Sequence, residues 1–346
     1  MPLPRPHLAE PTSGDNAQVE RLRESYRALQ KEIAKVVVGQ DRVVELLLTA
    51  LFSGGHALVI GVPGLAKTLL ASTLARLLTL SFQRIQFTPD LMPADITGTD
   101  VIEEDKEAGT RNFRFLPGPV FTQLLLADEI NRAPPKTQAA LLEAMQERQV
   151  TVGGRTLPLP SPFCVVATQN PMEQEGTYAL PEAQLDRFLF AIEVSYPSEE
   201  EELTVLKTTA ARETVVLEKI LGADEIIRTQ HLVPRVPTAE AVERFALALV
   251  RRSRPESPDA APETKRFVTW GAGPRATKDL LRSARAHALI QGRCYTTTGD
   301  VEAVAAPVLA HRIATNLNAE ADGVDATEVV ARLLRSTPRE RETRLV

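Results

Sequence analysis

The sequence predicts an α/β domain built on a doubly wound parallel sheet, followed by an all-α domain. Three observations carry that expectation. Short apolar runs recur near residues 57–60, 83–87, 123–127, 163–168 and 189–194 with helical stretches between them, the alternation that successive β–α–β units produce. The run Leu124-Leu125-Leu126-Ala127 is unbroken, as a strand covered on both faces of a parallel sheet must be. After Pro197 such runs stop, and segments 199–212, 223–231, 238–253, 275–290, 299–313 and 326–336 carry helical spacing instead.

Taken in order, residues 1–17 are proline-rich and read as a disordered tail. A helix follows over about 18–34, then the box Val37-Val38-Gly39-Gln40. The α/β core is expected over 18–196 and the helical domain over 197–346, since 346 residues exceed one compact core. Residues 254–265, rich in Pro, Glu and Ser, read as a solvated loop within the helical domain. Two stretches interrupt the core. Residues 97–116 read as a hairpin with Phe113 and Phe115 on one face, Arg114 on the other, and an acidic tip at Glu103, Glu104 and Asp105. Residues 150–159 read as a second hairpin turning at Gly153-Gly154.

Composition excludes several classes. A net charge of −5 and a pI near 5.7 argue against a chain devoted to nonspecific nucleic-acid binding. Cys164 and Cys294 lie far apart with no disulfide framework or zinc spacing, a reduced pattern that sets the expectation of a cytoplasmic protein. No run of about 18 apolar residues is present to insert in a membrane, and the proline-rich N-terminus has no signal-peptide core.

Chemistry enters at residues 61–68, Gly61-Val62-Pro63-Gly64-Leu65-Ala66-Lys67-Thr68, between the apolar run 57–60 and a helix that continues through Leu69. Backbone N–H groups of such a loop and the helix N-terminus after it cradle phosphates. Lys67 supplies a charge for the β- and γ-phosphates, and the Thr68 hydroxyl is placed to ligate magnesium. Glycine usually stands where this chain has Ala66, so Ala66 must tolerate the tight turn. A triphosphatase also needs carboxylates at the tip of a second strand. Asp128 and Glu129 follow Leu124–Ala127; Asp128 is the expected magnesium-side carboxylate and Glu129 the expected base, although acidic residues there can also cap the next helix.

Three further residues follow from position. Asn170 ends the apolar run 163–168 and can orient an attacking water, or simply start an Asn-Pro turn. Arg187, in Leu185-Asp186-Arg187-Phe188, stands where it could complete a neighbour's site in trans, and Arg275 opens a helix whose dipole disfavours a cation unless an anion is near. An idle exposed arginine is the alternative for each.

With these residues in place, the chain resembles the MoxR family of AAA+ ATPases over about residues 20–335, through VVGQ, GVPGLAKT, LLLADEINRAPPKTQAALLEAMQE, ATQNP, LPEAQLDRF and GPRATKDLL. The resemblance implies a P-loop NTPase (AAA+) domain with an all-α lid, binding ATP and Mg2+. It makes Lys67 and Thr68 Walker A, Asp128 and Glu129 Walker B, Asn170 sensor 1, Arg187 the arginine finger and Arg275 sensor 2, and it accommodates Ala66. It also implies self-association into a ring, usually a hexamer, and chaperone-like remodelling or maturation of a client, often a von Willebrand factor A domain protein. Similarity to the helix-2-insert clade, related to magnesium chelatase subunit I, turns the two hairpins toward the ring pore. A nucleic-acid motor, a nonhydrolysing scaffold and a magnesium-chelatase-like subunit share much of this pattern. The acidic balance, with no basic tail and no GAFTGA loop, weighs against the first.

Overall fold

The computed structural model describes residues 13–105, 110–172, 176–210 and 216–339. It divides into two compact units. One comprises residues 30–47 and 54–225 and contains the large sheet; the other comprises 226–346 together with 1–29 and 48–53 and is mainly helical.

In the sheet-containing unit the strands are β1 (Ala57–Ile60), β2 (Phe82–Gln86), β3 (Gly98–Asp105), β4 (Thr110–Pro117), β5 (Leu124–Asp128), β6 (Gln149–Val152), β7 (Arg155–Pro158), β8 (Cys164–Gln169) and β9 (Phe190–Glu193). Five of them form one parallel sheet in the order β2-β5-β8-β1-β9. The expected strands are all present, each within a residue of its expected start. Every residue of β5 is buried, which is why its sequence does not alternate. Helices cover the sheet, and Leu58, Leu125, Ala127, Leu141, Leu142, Val165 and Phe188 close the core beneath Asp128 and Glu129. Because β8 lies between β5 and β1, the C-terminal tips of these three strands meet at the crevice where open α/β sheets bind ligands.

The hairpins form as expected. β3 and β4 pair antiparallel from Gly98↔Pro117 to Asp105↔Thr110, and β6 and β7 are joined by Gly153 (φ 56°) and Gly154 (φ 74°), the two positive φ values that a type I′ turn requires. The two phenylalanines do not behave alike. Phe113 is 73% exposed, whereas Phe115 meets Phe121 edge-on with ring centroids 5.5 Å apart. Exposed Arg114 pairs with Glu103 at 3.3 Å. Asp100 of β3 accepts from Arg155 of β7, so the two hairpins are tied together. Of the expected acidic tip, the side chains of Glu104 and Asp105 lie outside the described residues.

The helical unit departs from the expectations at four points. The first helix runs Ser13–Ile33, so residues 13–17 of the expected tail are helical and the rest of the tail lies outside the described residues. Its apolar stripe of Val19, Leu22, Tyr26 and Leu29 is buried, and Asp15 receives Arg235 Nη2 at 2.9 and 2.7 Å on its two oxygens. Tertiary contact therefore places the start of this helix with the helical unit, and residues 197–225 with the sheet unit. Strands do not stop at Pro197: β10 (Val268–Trp270) pairs antiparallel with β11 (Ala314–Thr315), elements too short to carry a periodic signal. The expected loop 254–265 holds through Ala261, and its last four residues enter a helix, Pro262–Phe267, with Pro262 in its first turn. Residues Phe245, Leu249, Leu280, Ala284, Val301, Val304, Val308 and Leu333 form the core of this unit.

Candidate functional site

The loop between β1 and the helix Lys67–Leu77 wraps over the tip of β8, where Gly61 N–H donates to Gln169 O at 3.1 Å. Gly64 has φ 88° and Ala66 φ 55°. Ala66 is thus an L-residue in left-handed backbone at the helix N-cap, the conformation its place in the loop was expected to demand, at a cost of about 1 kcal/mol for its Cβ. Lys67 Nζ donates to Gly61 O at 2.5 Å. Partial burial pulls the Lys67 pKa below its ordinary value, while the nearby carboxylates of Asp128 and Glu129 oppose that shift.

Asp128 ends β5 with 8% of its surface exposed. Its Oδ1 accepts from Thr168 Oγ1 at 2.6 Å. Its Oδ2 accepts from Arg84 Nη2 at 2.7 Å and Nε at 3.2 Å, and from Thr68 Oγ1 at 3.4 Å. Thr68 Oγ1 and Asp128 Oδ2 thus converge as hard oxygen donors beside Lys67, a donor set that suits magnesium, which pairs one or two protein oxygens with phosphate oxygens. Glu129 sits just past the strand at φ 56°. Its N–H donates to Thr168 Oγ1 at 2.9 Å, and its Oε2 accepts from Gln86 Nε2 at 2.7 Å and Arg132 Nη1 at 3.2 Å. Left-handed backbone at a non-glycine residue is strain held by its surroundings; here the Thr168 hydroxyl supplies part of the hold.

Asn170, 7% exposed, immediately follows β8, and its Oδ1 accepts from Met172 N–H at 3.1 Å. The expected turn and the expected position beside the phosphate loop therefore coexist. Gln40, the last residue of the Val38-Gly39-Gln40 box, lines a small cavity with Leu65, Lys67, Leu70, Val166 and Val194. Gly39 has φ 74°, and the Glu201 carboxylate, held by the Ser198 N–H and hydroxyl, fills the place a Cβ would take.

Arg187 makes its hydrogen bond elsewhere in the sheet-containing unit. Arg187 Nη1 donates to Leu142 O at 3.0 Å, two turns or about 10 Å into the helix that starts at Pro135. It borders a surface cavity with Glu143, Gln146, Glu147 and Gln184. Arg275 is exposed in the first turn of helix Pro274–Ile290 in the helical unit. Four residues around the carboxylates escaped the sequence reading: Arg84, Gln86, Arg132 and Thr168. The available signal was polar side chains at Arg84 and Gln86 in a short strand and Thr168 at the buried end of another, in register with Val59 of β1.

Similarity to known proteins agrees with this architecture. The model of the ATPase family associated with various cellular activities (AAA) matches residues 56–190, and that of the AAA lid domain matches 260–333. The fold and site therefore define an AAA-type domain with its lid. The chain is 44% identical to Chaperone MoxR1 of Mycobacterium tuberculosis over 88% of its own length and 80% of the relative's. It is 33% identical to Protein MoxR of Methylorubrum extorquens over 86% and 90% respectively. It belongs to the MoxR family of AAA ATPases. A crystal structure of a candidate ATPase from Cytophaga hutchinsonii superimposes with a TM-score of 0.86 at 40% identity, covering 95% of this chain and 98% of that one. A more distant similarity, 29% identity over 55% of this chain and 52% of the relative, reaches the magnesium-chelatase 38 kDa subunit of Acidiphilium rubrum.

Proposed function

We propose that this protein hydrolyses ATP as a self-assembled ring, with chaperone-like action on a client protein. The observation that carries the reading is that the Thr68 hydroxyl, after β1, meets the Asp128 carboxylate, at the tip of β5, at 3.4 Å, with Glu129 next to Asp128 and the Lys67 ammonium held on Gly61 O at 2.5 Å. Backbone N–H groups of Gly61–Ala66 and the start of helix Lys67–Leu77 hold the phosphates. Lys67 neutralises the β- and γ-oxygens, and its lowered pKa still leaves an amine that two carboxylates favour as a cation. Thr68 and Asp128 would hold Mg2+, which would offset charge building on the phosphates. Glu129 accepts the proton of the attacking water, and Asn170 orients that water. The Val38-Gly39-Gln40 box and Leu69 border the nucleotide.

Arg187 completes the site of the neighbouring protomer, where a guanidinium stabilises the charge of phosphoryl transfer. Its anchorage at Leu142, away from its own Lys67, supports a trans role. Arg275 acts from the lid as the second arginine. The sheet-containing unit makes the ATPase core and the helical unit the lid in the proposed division of labour, with a hexamer the expected ring. The client is a von Willebrand factor A domain protein or a complex containing one, and the location is the cytoplasm. The exposed pair Ile102 and Phe113, facing each other across β3 and β4, touches that client.

Mixing tests the trans site. Glu129→Gln and Arg187→Ala should each be inactive alone but regain turnover together, because a mixed interface joins an intact Glu129 to an intact Arg187. Full activity of Arg187→Ala at any dilution, or no recovery on mixing, refutes the reading. Replacing Ile102 and Phe113 by Ala should leave ATP turnover intact and abolish client remodelling; Phe115 is excluded because it anchors the hairpin at Phe121.

A further inference from the structure

Asp128 Oδ2 is the oxygen that the proposed site offers to a divalent metal, and it already carries a cation. Arg84 reaches it with two nitrogens, Nη2 at 2.7 Å and Nε at 3.2 Å. The carboxylate side chain is 12% exposed and the Arg84 side chain 47%. The other carboxylate oxygen accepts from Thr168, so Oδ2, which meets the Thr68 hydroxyl, is the oxygen placed for a metal. A nearly buried carboxylate without a positive partner is costly, and no other cation contacts Asp128 at hydrogen-bond range among the described residues. Lys67 is held on Gly61 O, and Arg132 on the neighbouring Glu129.

We infer that Arg84 is a built-in counter-cation for Asp128 that competes with the divalent metal for Oδ2. When the metal is absent, the guanidinium keeps Asp128 oriented and paired. When it arrives, a double positive charge and a guanidinium cannot share one oxygen without repulsion, and the half-exposed Arg84 is free to move toward solvent. Metal binding at this site is therefore weakened by the work of displacing Arg84. That work also sets how strongly nucleotide binding depends on the metal. Nη2 of Arg84 also donates to Gln86 Oε1 at 2.8 Å, which keeps the guanidinium plane aligned with Asp128 while it is docked. Arg84 is thus a positioning residue that acts through Asp128, and its role rests on the nucleotide site proposed above.

The test is the affinity for AMP-PNP measured by calorimetry in excess Mg2+ and again in EDTA. The readout is the ratio of the two dissociation constants for wild type, Arg84→Gln, Arg84→Ala and Arg84→Lys. Removing the competing cation should raise the metal-dependent gain in affinity by about tenfold or more in the Gln and Ala variants, while Lys should stay near wild type. A second readout is the melting temperature in EDTA without nucleotide. It should fall in the Gln and Ala variants and recover with Mg2+ and AMP-PNP beyond the wild-type increment. A merely structural arginine would lower the melting temperature and leave the affinity ratio unchanged, which overturns the inference. A ratio that falls overturns it also, because Arg84 would then assist the metal. Should Arg84→Ala fail to fold, Arg84→Gln, which keeps a polar chain of similar length, decides the matter. If wild type binds AMP-PNP under neither condition, the proposed nucleotide site itself is wrong, an outcome distinct from binding with an unchanged ratio.

Discussion

Replacing Thr168 by valine removes one hydroxyl from a residue that is fully buried, and changes its shape hardly at all. That hydroxyl donates to Asp128 Oδ1 at 2.6 Å and accepts from Glu129 N–H at 2.9 Å. The first bond involves a carboxylate, of a kind that contributes about 1.5–3 kcal/mol; the second is a neutral bond of about 1 kcal/mol. Both partners lose water as well, since the N–H belongs to a strained residue beside the buried strand end. The sum is about 2.5–4 kcal/mol. At roughly 2–4 °C per kcal/mol for a domain of this size, the calorimetric transition of the sheet-containing unit should fall by about 5–16 °C. Thr168→Ser keeps the hydroxyl and loses a methyl, so it should fall by only about a third as much. If the valine variant melted within about 2 °C of the serine variant, the hydroxyl would not be holding Asp128 and Glu129 in place, and the argument would fail.

Three other outcomes follow from particular groups. Ala66→Gly relieves a left-handed φ of 55°, and although it loosens the unfolded chain, the balance should stabilise the protein by about 0.5 kcal/mol in denaturant titration; a loss above 1 kcal/mol would contradict the strain. In the helical unit, buried Asp300 accepts from Arg293, His287 and Thr297, which together hold its carboxyl below the ordinary value despite burial pulling the other way. Its folded pKa is depressed, so its stabilisation is complete above the unfolded value near 3.9 and drains away as pH falls below it. Asp300→Asn should therefore lose about 3 kcal/mol at pH 7, and its deficit relative to wild type should narrow steadily below pH 4; a constant deficit down to pH 2 would refute the linkage. Burial pushes the Cys164 thiol up to about 12, so a thiol-specific disulfide reagent at pH 8 should titrate only Cys294 in the native protein and both thiols after unfolding.

Much of the site was legible because its chemistry depends on short-range order. A phosphate loop must be contiguous, since consecutive backbone N–H groups build it, and a parallel strand buried on both faces must be continuously apolar until its polar tip. Residues 61–68 and 124–129 satisfy both conditions in the bare sequence. The residues that tune the site are contiguous with nothing. Arg84 and Asp128 are 44 positions apart, and Thr168 is 40 from Asp128; only the strand order β2-β5-β8 makes them neighbours. Phe113 and Phe115 show the same limit, because alternation places them on one face but Phe121 covers only one of them.

The sequence by itself determined the glycine-bearing loop 61–68, the paired carboxylates, the parallel core and the two hairpins, because each is written in local spacing and hydrophobic period. Tertiary structure decided which helices belong to which unit and brought β10 together with β11. It also decided which side chains grip the carboxylates of Asp128 and Glu129. Those choices depend on packing between segments distant in the chain, where the free energy of burial and of satisfying polar groups is shared among residues that no local pattern connects.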